Sequence, residues 1–292
     1  MEIIIDQKSG FCFGVERAIK IAEEEASKNG KIYCLGDIVH NSEEINRLCK
    51  KNIEFITREE FLKLSDCKVI IRAHGEPPET YSFAKKNNIE LIDATCTVVI
   101  KLQDKIRKVQ QSDNNAQIVI YGRSDHPEVI GLKGQVHKAV IIESIDELSL
   151  VDYSKPVYLF AQTTKNKEHY AAIKKEIIHR LIRSGMKEDD LIPANSICGQ
   201  VANRAPWLAQ FSRTVDAVVF VGGKSSSNSR VLFDTCKKVN QKSYFVTSAK
   251  EIDTIEFGSD DRVGICGATS TPYWLLEEVA ERLRTLIRTI AQ

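Results

Sequence analysis

The chain has 292 residues, 42% of them hydrophobic and 28% charged, with 41 Lys and Arg against 40 Asp and Glu. That length and apolar fraction suit two or three domains with real cores, and a net charge of +1 argues against a broad nucleic-acid surface, which works by clustered phosphate neutralisation. No apolar run is long enough to span a membrane and no basic leader precedes a long apolar stretch, so a soluble, cytoplasmic protein is expected.

Along the chain, short β-branched runs alternate with longer amphipathic patterns, which predicts a parallel α/β architecture. Strands are predicted at 2–5, 31–35, 68–72, 118–121, 139–142, 157–161, 217–221, 243–246 and 262–266. A helix is predicted over 15–27, where Val15, Ala18, Ile19 and Ala22 recur at helical spacing. Another is predicted over 273–291, after Pro272, a good helix-start residue.

The pattern repeats three times. Three segments open a helix with a cysteine: Ser9-Gly10-Phe11-Cys12, Asp93-Ala94-Thr95-Cys96 and Asn195-Ser196-Ile197-Cys198. At near-equal separations each leads to an apolar strand ending in glycine, at Gly36, Gly122 and Gly222. A polar loop follows each glycine, carrying His40 and Asn41, then His126 and Glu128, then Ser226, Ser227 and Asn228. A later strand runs into a second polar patch, Ala73-His74-Gly75, Gln162-Thr163-Thr164 and Thr269-Ser270-Thr271. Three similar parallel-sheet domains are therefore expected, near 1–95, 96–194 and 195–292. Each offers one cysteine and two polar loops at the carboxyl ends of strands, where open parallel sheets bind ligands. Set about one axis within one chain, a monomer, they would aim three cysteines at a common centre.

None of the eight cysteines forms a C-x-x-C pair, so zinc-ribbon, thioredoxin and bacterial-ferredoxin signatures are missing. A metal here must be gathered from distant parts of the chain. A helix N-terminus favours a thiolate, and three thiolates at Cys12, Cys96 and Cys198 can hold one [4Fe-4S] cluster by three irons, leaving the fourth open. Cys34, Cys49, Cys67, Cys236 and Cys266 read as core or near-surface thiols. His40, His74 and His126, with Thr163, Ser226, Ser227, Asn228 and Ser270, make a donor set for phosphate oxygens. With no P-loop or G-x-G-x-x-G, a small diphosphate fits better than a nucleotide. Glu128 is the carboxylate beside a phosphate-binding candidate, and desolvation there would let it donate a proton near neutral pH.

Read in order, Gly10-Phe11-Cys12-Phe13-Gly14-Val15, Gly36-Asp37-Ile38-Val39-His40-Asn41, Ala73-His74-Gly75 and Asp93-Ala94-Thr95-Cys96 resemble motifs of the 4-hydroxy-3-methylbut-2-enyl diphosphate reductases. So do His126-Pro127-Glu128-Val129, Gln162-Thr163-Thr164, Ser226-Ser227-Asn228-Ser229 and Ser270-Thr271-Pro272. The resemblance implies a trefoil of three α/β domains around a [4Fe-4S] cluster on Cys12, Cys96 and Cys198. It implies a pocket lined by His40, His74, His126, Thr163, Ser226, Asn228 and Ser270, with Glu128 central to proton delivery. The implied reaction is two-electron removal of an allylic hydroxyl, giving isopentenyl and dimethylallyl diphosphates at the end of the methylerythritol phosphate pathway. An external ferredoxin- or flavodoxin-type donor is expected, since the chain has no flavin or nicotinamide fingerprint, and Arg107, Lys108, Lys174 and Lys175 are a candidate docking patch. The chain departs from the family pattern at Thr97 (usually proline), at Asp125 (usually glycine), at Gly199-Gln200-Val201 and over Cys266–Thr269, which bears on loop geometry and rate. Two other readings stay open: a cluster-bearing redox sensor without turnover, and a non-redox hydro-lyase. Consumption of an allylic diphosphate separates the first, and dependence on external reductant the second.

Overall fold

A computed structural model describes residues 1–113, 116–224 and 226–290. The chain begins with β1 (Glu2–Ile5), α1 (Phe13–Asn29), β2 (Ile32–Leu35), α2 (Ser42–Cys49), β3 (Ile53–Ile56), α3 (Arg58–Phe61), β4 (Lys68–Ile71), α4 (Pro78–Lys86) and β5 (Glu90–Asp93). Next come α5 (Thr97–Ser112), β6 (Gln117–Tyr121), α6 (Pro127–Lys133), β7 (Val140–Ile142), β8 (Val157–Ala161), α7 (Lys167–Arg183) and β9 (Leu191–Pro193). The chain then forms α8 (Gly199–Ser212), β10 (Ala217–Val221), α9 (Ser227–Val239), β11 (Ser243–Val246), β12 (Arg262–Gly267) and α10 (Tyr273–Ile290).

Every predicted strand is present, and the two predicted helices are α1 and α10; Ala291, the predicted end of the second, lies outside the described residues. The sequence pattern missed β3, β5 and β9. All three are edge strands with exposed positions, and β5 carries Glu90 and Asp93 while β9 ends in Pro193, so none shows a continuous apolar run.

The strands form three four-stranded parallel sheets, ordered β3-β2-β4-β5, β7-β6-β8-β9 and β1-β12-β10-β11. Taken along the chain, each has the same order, second-first-third-fourth, and β1 completes the last sheet as its fourth strand. The connections leaving the two central strands run to opposite sides, which opens a crevice at their carboxyl ends. Those central pairs are β2/β4, β6/β8 and β10/β12, registered in parallel. The polar segments singled out above follow these six strands.

The chain divides into two compact units: Met1–Lys31, Asp37–Phe55 and Asn203–Gln292 in one, Ile32–Gly36 and Ile56–Ala202 in the other. In the first, β10 is buried along its whole length, as a central parallel strand covered on both faces must be. Its period of two sorts the side chains. Ala217, Val219 and Val221 join Leu276, Val279 and Leu283 of α10, while Val218 and Phe220 pack with Leu208 of α8 and Leu232 of α9. In the second unit, Val119 and Tyr121 of β6 meet Ile173, Ile177 and Leu181 of α7. Ile118 and Ile120 face the other way, onto Leu102 and Ile106 of α5 and Val129 and Leu132 of α6. Leu35, Val69 and Ile71 of β2 and β4 pack on Phe61 and Ala84. Cys34, Cys236 and Cys266 are fully buried core thiols, as expected, and Cys49 is exposed at the end of α2. Among the described residues, no helix is long and apolar enough to cross a membrane.

Candidate active site

All three candidate cysteines follow the fourth strand of a sheet and stand at a helix start. Cys12 and Cys96 are the N-cap residues of α1 and α5, and Cys198 immediately precedes α8. Each backbone N–H donates to a carbonyl just beyond the neighbouring third strand: Cys12 to Thr269 at 3.2 Å, Cys96 to Ala73 at 2.9 Å and Cys198 to Thr163 at 2.8 Å. Every cysteine is thereby fastened to one of the second polar patches. The serines nearby reinforce the tie. Ser9 Oγ accepts from the Gly267 N–H at 2.9 Å, and Ser196 Oγ accepts from the Ala161 N–H at 2.8 Å.

In the first unit, the two polar segments after β10 and β12 meet. Ser226 caps α9 by accepting from the Ser229 N–H at 3.2 Å, and Asn228 Nδ2 donates to Thr269 Oγ1 at 3.5 Å. Asn228 was expected in a loop but lies on α9 itself. The Ser270 hydroxyl is buried and has no hydrogen-bond partner among the described residues, whereas its neighbour Thr271 bonds to Ala268 and Val221. A buried hydroxyl left open in this way costs free energy until an acceptor or donor arrives, which suits a ligand subsite. His40 precedes Asn41, whose side chain caps α2 at 3.1 Å. The His40 carbonyl comes so close to Gly223 that no Cβ fits between them. The Ser227 side chain lies outside the described residues.

In the second unit, His74 and His126 stand edge to face with ring centroids 5.2 Å apart. His126 is the N-cap of α6, and its Nδ1 accepts from the Glu128 N–H at 3.1 Å. In the neutral ring that bond leaves the proton on Nε2. Gly75, directly after His74, has φ of 71°, and a Cβ there would meet Gln103 Nε2 at 2.7 Å. Gln103 of α5 also lies against Gly131 of α6, so it fills the space between the His74 turn and the Glu128 helix. Sequence reasoning missed Gln103, which carries no signal beyond its place on the buried face of α5.

Glu128 was expected in a loop. It lies instead in the first turn of α6 and is 1% exposed. One carboxyl oxygen accepts from the Thr163 N–H at 2.7 Å and the other bonds the Thr163 hydroxyl at 2.8 Å. Burial pushes its pKa up from 4.5 to about 7, against the lowering effect of the two Thr163 bonds. Thr163 thus holds the acid through its N–H and hydroxyl while its carbonyl holds Cys198.

The raised value makes stability depend on pH. The folded state keeps a proton that the unfolded chain releases, so the penalty for burying this group is absent below about pH 4.5 and fully felt above about pH 7. Glu128→Gln removes the titration. The variant should therefore gain on the order of 3 kcal/mol relative to the parent between pH 4.5 and pH 8. Urea unfolding at the two pH values measures it, and an equal offset at both would mean the carboxyl is not shifted.

A model of the LytB protein family matches residues 3–284. The 4-hydroxy-3-methylbut-2-enyl diphosphate reductase of Bacteroides fragilis is 47% identical over 291 residues, covering 99% of each chain. The protein of that name from Chloroherpeton thalassium is 43% identical over 306 aligned positions, 97% of this chain and 96% of its own. A solved structure of (E)-4-hydroxy-3-methyl-but-2-enyl diphosphate reductase, the terminal enzyme of the non-mevalonate pathway, superposes with a TM-score of 0.75 at 32% identity, covering 98% of this chain and 100% of that one. The Plasmodium falciparum E-1-hydroxy-2-methyl-but-2-enyl-4-diphosphate reductase gives 0.78 at 26% identity, over 96% and 87% of the respective chains.

Proposed function

The chain belongs to the LytB family of 4-hydroxy-3-methylbut-2-enyl diphosphate reductases, and from this we propose that it removes the allylic hydroxyl of that diphosphate with two electrons, yielding isopentenyl and dimethylallyl diphosphates. The observation that carries the proposal is the buried Glu128 carboxyl, protonated near neutral pH and tied through Thr163 to a cysteine at a helix start.

Hydroxide is a poor leaving group, so the departing oxygen needs a proton. Glu128 holds one at its carboxyl and is matched to the task by its pKa of about 7. Its burial keeps bulk water from competing for that proton. The diphosphate takes the donors of His40, His74, His126, Ser226, Ser227, Asn228 and Ser270. The Ser270 hydroxyl, buried and without a hydrogen-bond partner among the described residues, supports this use.

Cys12, Cys96 and Cys198 fit a [4Fe-4S] cluster, one per chain: three soft sulfur donors, each at a helix start and each on a loop pinned by its own N–H. When bound, the cluster supplies single electrons and an iron without a protein ligand as Lewis acid. The electrons come from a ferredoxin- or flavodoxin-type protein in the cytoplasm, and the chain works as a monomer. Anaerobically purified protein should contain four irons and, with a reduced donor, convert hydroxymethylbutenyl diphosphate to both five-carbon diphosphates. A four-iron protein with no turnover would favour a sensor, and turnover without reductant would favour a hydro-lyase.

A further inference from the structure

Glu44 lies in the first turn of α2 and is 0% exposed. Its carboxylate accepts from Arg47 Nε at 2.9 Å, Arg47 Nη2 at 2.5 Å and Trp274 Nε1 at 2.7 Å. Arg47 carries the network on to Glu23 of α1 at 2.7 Å. A pair with Arg47 one turn along the same helix could sit on the surface at little cost. Burying the carboxylate is costly unless its partners are in place, and a buried polar group of this kind serves best where one arrangement must be fixed.

The arrangement at stake is that of the donor segments of the first unit. Two of the ties among them are direct contacts: the His40 carbonyl abuts Gly223, and Asn228 donates to Thr269. These join the His40 segment to the one after β10, and that one to the segment after β12. The third tie, from the Ser270 segment back to His40, is made by Trp274 and Glu44. Trp274 is the second residue of α10, four residues after Ser270, and Glu44 stands four residues after His40. An indole N–H only donates and a carboxylate only accepts, so the bond has one sense and holds the two helix starts at one separation.

We propose that the Trp274–Glu44 bond is a brace that sets the spacing between the His40 and Ser270 donors of the diphosphate site. The inference rests on the proposed function, whose substrate carries that diphosphate. Trp274 and Glu44 are positioning residues, each acting through the segment it follows. Donors held in place bind more tightly than donors that must first be ordered. The diphosphate takes no part in the bond that breaks, so loosening the brace weakens binding without slowing the chemistry.

Trp274→Phe keeps a ring against the α10 core and removes the N–H, leaving Glu44 paired with Arg47. In loaded protein it should raise KM for hydroxymethylbutenyl diphosphate and the calorimetric Kd for inorganic pyrophosphate together, by about fivefold or more, with kcat within about twofold. Leu286→Ala, further along α10 on the same core, should lower the melting temperature at least as far yet leave both constants within about twofold. Glu44→Gln takes the charge from the acceptor of the same bond and should raise both constants; it carries the test if Trp274→Phe does not fold. Unchanged constants in Trp274→Phe, a fall in kcat alone, or an equal rise in Leu286→Ala would overturn the inference and leave the proposed function standing. A parent that binds pyrophosphate but consumes no allylic diphosphate would overturn the proposed function, while the pyrophosphate titration still decides the brace. A parent that binds neither would overturn both.

Discussion

Cys96→Ser should lose iron and turnover together, with activity down by more than about 100-fold, since even outer partners of a metal site cost 10–100-fold. The substitution changes one atom at the N-cap of α5. Serine is among the preferred N-cap residues, so the helix start is not weakened. The backbone N–H that donates to Ala73 is untouched, and the β4–β5 pairing beneath it stays in register. Only the soft sulfur donor is gone, and a serine hydroxyl is a far poorer ligand for cluster iron. Thermal melting of the apo-proteins should therefore coincide while iron content falls. A Cys96→Ser protein that kept four irons and full turnover would remove Cys96 from the ligand set.

Glu128→Gln should lower turnover by about 10²–10⁴-fold, the usual worth of a positioned proton donor, with cluster content unchanged. The amide can keep both native bonds. Its oxygen accepts from the Thr163 N–H, and its nitrogen donates to the Thr163 hydroxyl, which accepts as well as donates. The loss is then of the proton and not of the geometry. In the parent, the donor is active while protonated, so turnover should fall as pH rises through about 7. The glutamine variant should have no such limb. Parent-like turnover with an intact cluster would move the proton role to another group.

The repeat was legible in the residues because its markers are local. A cysteine at a helix start, a glycine after an apolar strand and a polar segment beyond it are each set by nearby backbone geometry, and their near-equal spacing survived where the residues between them did not. Central strands such as β6 and β10 were equally plain, since burial on both faces demands continuous apolar runs. The candidate histidines, hydroxyls and Glu128 could be picked out by chemistry and by position after those strands.

What the sequence could not decide was everything fixed by side chains or strands far apart in the chain. Nothing local says that β1 completes the last sheet by pairing with β12, because pairing energy depends on an exposed edge that only the folded sheet offers. Nothing local says that Glu128 is buried: glutamates near a proline are usually solvated, and its raised pKa follows from the fold removing water from the carboxyl, which outweighs the two Thr163 bonds. The burial of Arg204 was invisible for the same reason. Read along the chain it is one charged residue on a helix, and only packing beside Gly10 makes it a buried cation. Local backbone preference and apolar periodicity wrote the elements and the donor set into the sequence; solvent exclusion and partner choice, which set the electrostatics of the site, arise only when the tertiary structure removes water from those groups.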